Sequence, residues 1–201
     1  GEVLDLGLAF TCSGDLFMVS DRRSTLYRVE PDQPTISLIG QEGQLGAPIT
    51  ALSAWDDQLY GLGQGLDSND RSDSPNLYRI NTETGSAELI GPLGGQASPY
   101  ANAGLAFDED GTLWAVTDRL IGSDINMTSE ILQIDPATGN ATKVTDADIV
   151  GFESLAIGPP AGCDRGTLSP MIVPTLNVFG LLLLALLLAA IALVSLRQKC
   201  S

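Results

Sequence analysis

The chain has 201 residues, of which 25 are Asp or Glu, 10 are Lys or Arg and none is His, giving a net charge of −15. A field of that sign opposes binding to nucleic acid or to an anionic membrane surface, and favours solubility, cations or a basic partner. The lack of histidine removes the commonest general base and the usual zinc and haem ligand, so any chemistry would rest on carboxylates, hydroxyls or thiols.

Gly1 stands where a methionine would, which points to a removed leader peptide or tag, and residues 3–6 read as a short apolar strand. The next stretch, GLAFTCSGDLFMVSDR at residues 7–22, returns as GLAFDEDGTLWAVTDR at 104–119, with nine of sixteen positions identical. Two short apolar runs joined by a glycine turn are a hairpin signature, and a copy 97 residues on makes the hairpin a repeated unit. The first unit then offers strands at 8–10, 16–20, 26–29 and 36–39. The second offers 49–52, 59–62, 77–80 and 87–90, and the third 105–107, 113–117, 131–134 and 141–144. Residues 81–85 and 135–139 are five-residue turns ending in Gly85 and Gly139, the residue type a left-handed position needs. Residues 153–157 read like the start of a further copy, and Leu8, Leu52, Leu105 and Leu155 mark the unit starts.

Four strands per unit at this spacing predict an all-β fold of propeller-like blades, about three of them, in an open or incomplete ring. A β-sandwich built from the same hairpins is the alternative. The phrase running from Gly104 through Trp114 to Asp118, and on to Ile134, Asp135, Pro136, Thr138 and Gly139, resembles the repeats of bacterial secreted propellers of the NHL or quinoprotein-like kind. That resemblance implies blades over residues 7–158. It implies no particular activity, since such folds host many. An open arc also leaves sheet edges that need a neighbour.

Residues 176–196 carry no charge and are dominated by Leu and Ala, long enough to span ~30 Å of hydrocarbon. Arg197 and Lys199 follow at once, so the positive-inside rule puts the C-terminus in the cytoplasm and the acidic part outside. The expected organisation is a β domain at 1–158, a linker at 159–175, a transmembrane helix at 176–196 and a cytoplasmic tail at 197–201, in the inner membrane of a Gram-negative bacterium. Pro174, Thr175, Leu176 and Gly180, followed by the apolar run and the basic pair, resemble C-terminal sorting tails of the IPTL/PEP-CTERM type, with Val173 and Phe179 departing from the pattern. Gly180, Ala185, Ala189 and Ala192 give the span a small-residue face for close helix contact.

Cys12 and Cys163 flank the first and last β elements, which predicts a disulfide between them, two unrelated thiols being the alternative; Cys200 stays free. Asp67, Asn69, Asp70 and Asp73 offer oxygen ligands to calcium without the full twelve-residue loop, and a solvated loop is the competing reading. The pairs Asp21-Arg22 and Asp118-Arg119 read as turn-capping or ion-pair repeats. Trp55, Tyr60, Tyr78, Tyr100 and Trp114 read as core or blade-edge aromatics. No nucleophile with a base, phosphate loop or metal cluster emerges, so neither an enzyme nor a cofactor beyond calcium is expected. Two readings of function follow. One is a membrane-anchored periplasmic interaction module, an accessory subunit of a larger integral membrane complex that also meets a basic soluble partner. The other is an exported, surface-sorted propeller that binds a ligand or cation.

Overall fold

The structure, a computed structural model, describes residues 6–63, 75–121, 125–157 and 163. The chain divides after Cys163 into a compact unit of residues 1–163 and a second of 164–201. The second unit lies wholly outside the described residues, and with it the predicted span, its small-residue face and the sorting-like motif. Among the described residues no helix is long and apolar enough to cross a membrane.

Twelve strands follow one another: β1 (Leu6–Phe10), β2 (Leu16–Ser20), β3 (Thr25–Glu30), β4 (Thr35–Ile39), β5 (Ile49–Trp55), β6 (Gln58–Gly63), β7 (Asn76–Ile80), β8 (Ala87–Pro92), β9 (Asn102–Phe107), β10 (Leu113–Ile121), β11 (Ile125–Ile134) and β12 (Ala141–Asp146). They form three four-stranded antiparallel sheets, each a meander of consecutive strands, β1 to β4, β5 to β8 and β9 to β12. This is the blade pattern, with no strand exchanged between sheets as a Greek-key sandwich would require. The sheets stack in chain order through their first strands, with β5 against both β1 and β9.

Two cores result, one per joint. Phe17, Val19 and Leu26 of the first sheet meet Ile49, Leu52, Leu59 and Ile80 of the second. Ala51, Leu62 and Leu77 of the second meet Leu105, Phe107, Leu113, Leu132 and Ile134 of the third. Both faces of the middle sheet are thus buried, and β5 is buried without alternation from Ile49 to Ser53, the small polar Thr50 and Ser53 included.

At the outer rim the joints share one lock. A Cβ at Gly85, in the β7–β8 turn, would overlap the Ile39 carbonyl, and one at Gly40 would overlap the Thr84 carbonyl. The third sheet repeats this on the second: a Cβ at Gly91 would overlap the Thr138 carbonyl, and one at Gly139 the Gly91 carbonyl. The glycine-ended turn of each later sheet therefore docks, backbone against backbone, on an Ile-Gly pair at the fourth strand of the sheet before it.

One expectation is corrected. Residues 153–157 form no strand. They lie against β9 all the same, since a Cβ on Gly104 would overlap Ser154 and Leu155. The segment lies along the third sheet as a strap, without a strand among the described residues.

Candidate functional site: the uncovered face of the first sheet

Strand register places two rows of side chains on the side of the first sheet that points away from the second. Phe10 pairs with Leu16, Leu16 with Val29 and Val29 with Ile36. Leu8 pairs with Met18, Met18 with Tyr27 and Tyr27 with Leu38. Every member of both rows is apolar or aromatic, and neither row carries a charge.

The first row is interior in the later sheets, and so is much of the second, whose outermost members Leu89 and Lys143 stay exposed. Leu59 and Ile80 are 0% and 1% exposed, and Phe107, Leu113 and Ile134 are 3%, 0% and 1% exposed, because each faces the preceding sheet. In the first sheet Leu8, Phe10 and Ile36 are 57%, 54% and 59% exposed. Alternation within β1 makes the point again: Gly7 and Ala9 turn toward β5, whereas Leu6, Leu8 and Phe10 turn out. The first sheet has the apolar half of a joint, and among the described residues no sheet completes it.

Shape separates this face from a blade joint. Where the outer row of the later sheets ends in Ala87 and Ala141, the first sheet has Ile36; where the next row has Gly61 and Ala115, it has Met18. The lock is missing as well. The β3–β4 turn is Pro31-Asp32-Gln33-Pro34, without glycine, and β12 has Val144-Thr145 where β4 and β8 lead into Ile-Gly. A further repeat of the same kind would meet side chains at either end.

The predicted disulfide joins Cys12 and Cys163, with Cα atoms 5.3 Å apart. Cys12 is also held to the second sheet by its N–H on the Asp56 carbonyl at 3.1 Å, and the neighbouring Ser13 N–H donates to Asp57 Oδ1 at 2.8 Å. The bridge therefore ends in the β1–β2 turn, where the first sheet meets the second.

The remaining predicted residues scatter. Asp67, Asn69, Asp70 and Asp73 lie outside the described residues, and among the described residues no three His, Cys, Asp or Glu side chains converge to hold a metal. The two Asp-Arg pairs diverge. Arg22 is exposed, while Arg119 is buried and its Nη1 contacts Glu130 Oε1 at 3.1 Å. Glu130, 2% exposed, also accepts from the Ser98 N–H and hydroxyl, each at 3.1 Å, and Lys143 Nζ stands 3.7 Å away. This ion network, in which Arg119 Nε is left without a partner among the described residues, pins the loop before β9 to the third sheet, where breaking one member would strand a buried charge.

Sequence reading passed over two aspartates that shape turns. Asp108 takes the Trp114 indole N–H at 2.8 Å and backbone N–H groups of Thr112 and Asp110, which hold its carboxyl below the usual range. Asp135 takes the Thr138 hydroxyl at 2.7 Å and the Ala137 N–H, with the same effect. Both sit one residue past a strand end and carry a turn, not a reaction.

No protein-family model matches the chain, and no curated protein matches it. Solved structures do. The PQQ-bound form of an aldose sugar dehydrogenase from Streptomyces coelicolor aligns at a TM-score of 0.47 and 15% identity, over 68% of this chain and 46% of that one. A catalytically inactive virginiamycin B lyase from Staphylococcus aureus with quinupristin aligns at 0.44 and 18%, over 71% and 41%. A selenomethionine form of that lyase aligns at 0.41 and 18%, over 68% and 39%. The chain spans less than half the length of each, and no activity passes from them to it.

Proposed function

We propose that this protein is an interaction module and not an enzyme: an accessory subunit that stands on the periplasmic side of a membrane complex and docks through the uncovered face of its first sheet. The carrying observation is the pair of uninterrupted apolar rows, Phe10 to Ile36 and Leu8 to Leu38, at roughly half exposure on β1 and β4. A contiguous apolar patch of this kind marks a partner site. Its occupant is another protein, apolar at the centre of contact and basic around it. A net charge of −15 makes two copies of this chain repel and draws a basic-rimmed surface. The charge-free run at 176–196 supports a membrane setting, and tethering there would make a weak face-to-face contact effectively intramolecular.

The test places a photo-crosslinking amino acid at Leu38 of the full chain in its native membrane, with and without Leu8→Glu. A heterologous adduct whose linked peptide is apolar and flanked by Lys or Arg, lost in the L8E protein, is the expected result. Adducts with a second copy, with lipid, or within the same chain would each overturn the reading. Leu8 is exposed, so the L8E protein should fold as the parent does.

A further inference from the structure

Between the second and third sheets lies a cleft of about 390 Å³. It opens beside the β5–β6, β9–β10 and β11–β12 turns. Trp55, Tyr60 and Phe107 line it, with Arg79, Pro136 and Ala137. The three rings are not parallel: Trp55 lies 5.5 Å from Phe107 at 53°, and Tyr60 lies 5.2 Å from it at 67°. They make an angled apolar wall of the size a single ring can enter.

The molecule contains its own control. Register equates Arg79, opposite Tyr60, with Arg28, opposite Phe17 in the first sheet. Arg28 is saturated, bonded to Asp15 and to Glu30, the latter at 3.1 Å. Arg79 has only Glu88, at 3.9 Å, and its side chain is 49% exposed. The corresponding joint between the first and second sheets has Phe17 sealed at 3% exposure and Ala54 where the third sheet has Phe107. In the cleft, then, an arginine without a strong partner stands over an aromatic wall. Among the described residues the Trp55 indole N–H and the Tyr60 hydroxyl also lack hydrogen-bond partners. All three groups donate, so what fits is an apolar ring that accepts.

We infer that this cleft binds a small ring carboxylate, its ring against Trp55, Tyr60 and Phe107 and its single negative charge on Arg79. Arginine's fork matches a carboxylate in two parallel bonds. The acidity of the chain selects for one negative charge, because each further charge adds repulsion without a second cation to meet it. The site is independent of the docking face, and either reading can fail alone.

The test follows the two indole N–H resonances of the isotope-labelled full chain during titration with benzoate, benzyl alcohol and benzylammonium. Benzoate should shift Trp55 and leave Trp114, whose N–H is engaged by Asp108, unmoved. Arg79→Gln should weaken benzoate about tenfold, to the level of benzyl alcohol, since a charge-assisted bond is lost. Benzylammonium should not bind. Arg79 is a surface residue, and an otherwise unchanged spectrum for the R79Q protein confirms its fold. If benzoate leaves Trp55 unmoved, or if all three probes bind alike in the parent and in R79Q, the inference is wrong.

Discussion

At the scale of the residue, Tyr100 shows how burial alone makes a pH dependence. Its ring is 0% exposed, and the Thr50 hydroxyl approaches its oxygen without completing a hydrogen bond. Desolvation raises its pKa well above the ordinary tyrosine value, with Thr50 opposing and Tyr78 adding weakly. The native state therefore keeps the proton while the unfolded chain loses it near pH ~10. A raised folded pKa means stability is whole below the unfolded pKa and is lost as pH climbs above it, by up to ~1.4 kcal/mol per pH unit. Tyr78, half-buried and raised by desolvation, bends the same limb. Denaturant unfolding between pH 8 and 11 should show this fall, and Tyr100→Phe should flatten it while costing under ~1 kcal/mol at pH 8, because the hydroxyl it removes has no partner. An identical alkaline slope in both proteins would refute the assignment. Tyr100, Trp55 and Tyr60 were all legible from the sequence as core or blade-edge aromatics, but not which is which, because an aromatic lining a gap and one filling a core have the same pattern in the chain.

At the scale of the element, all twelve strands and their grouping were legible, since hairpins are local and the repeat announces its own period. What was not legible is how sheets meet, because joint contacts join residues about fifty apart through backbone approach. Gly40, Gly85, Gly91 and Gly139 look like ordinary turn glycines. The structure makes Gly91 a contact point: it is in β8 itself, with the Thr138 carbonyl where a side chain would be. Gly91→Ala should then force the joint apart and cost ~1–3 kcal/mol, as overpacking does. Gly95→Ala is the control, with nothing within 4 Å of its added Cβ. Equal denaturation midpoints for the two variants would show that the lock does not bear on stability. The uncovered face was hidden for a related reason. Leu8 and Phe10 have the same sequence surroundings as Leu105 and Phe107, yet among the described residues they stand exposed where Leu105 and Phe107 are buried.

At the scale of the whole molecule, the arc has unequal ends. The third sheet is backed by residues 147–157, where the Ser129 and Ala147 backbones bond and the Phe152 N–H reaches the Ser129 hydroxyl at 3.0 Å. Among the described strands the first sheet packs chiefly on the second, and Leu8, Phe10, Ile36 and Leu38 stand about half-exposed on its outer face. Stacked units are stabilised by neighbours, so a terminal unit with one neighbour and no cap is the weakest. The Cys12–Cys163 bridge bears on that weak end. It spans 151 residues, and in the chain-entropy model a loop of that length contributes roughly 5 kcal/mol, a large part of a domain's typical total. Replacing both cysteines, Cys12→Ala with Cys163→Ala, should lower the denaturation midpoint markedly. Hydrogen exchange localises the effect. Opening from the end nearest the lost bridge should strip protection from β1 to β4 first, while β5 to β8, packed on both faces, should exchange last. Uniform loss of protection across the three sheets would mean that the bridge acts only on the unfolded chain. First loss in the third sheet would mean that the strap, not the first sheet, is the weak end. The expected order makes a further link to the proposed function: the sheet that most needs a neighbour is the one whose apolar face we propose as the docking site, so partner binding at Leu8 and Phe10 should restore protection to β1 to β4 in the bridge-free protein.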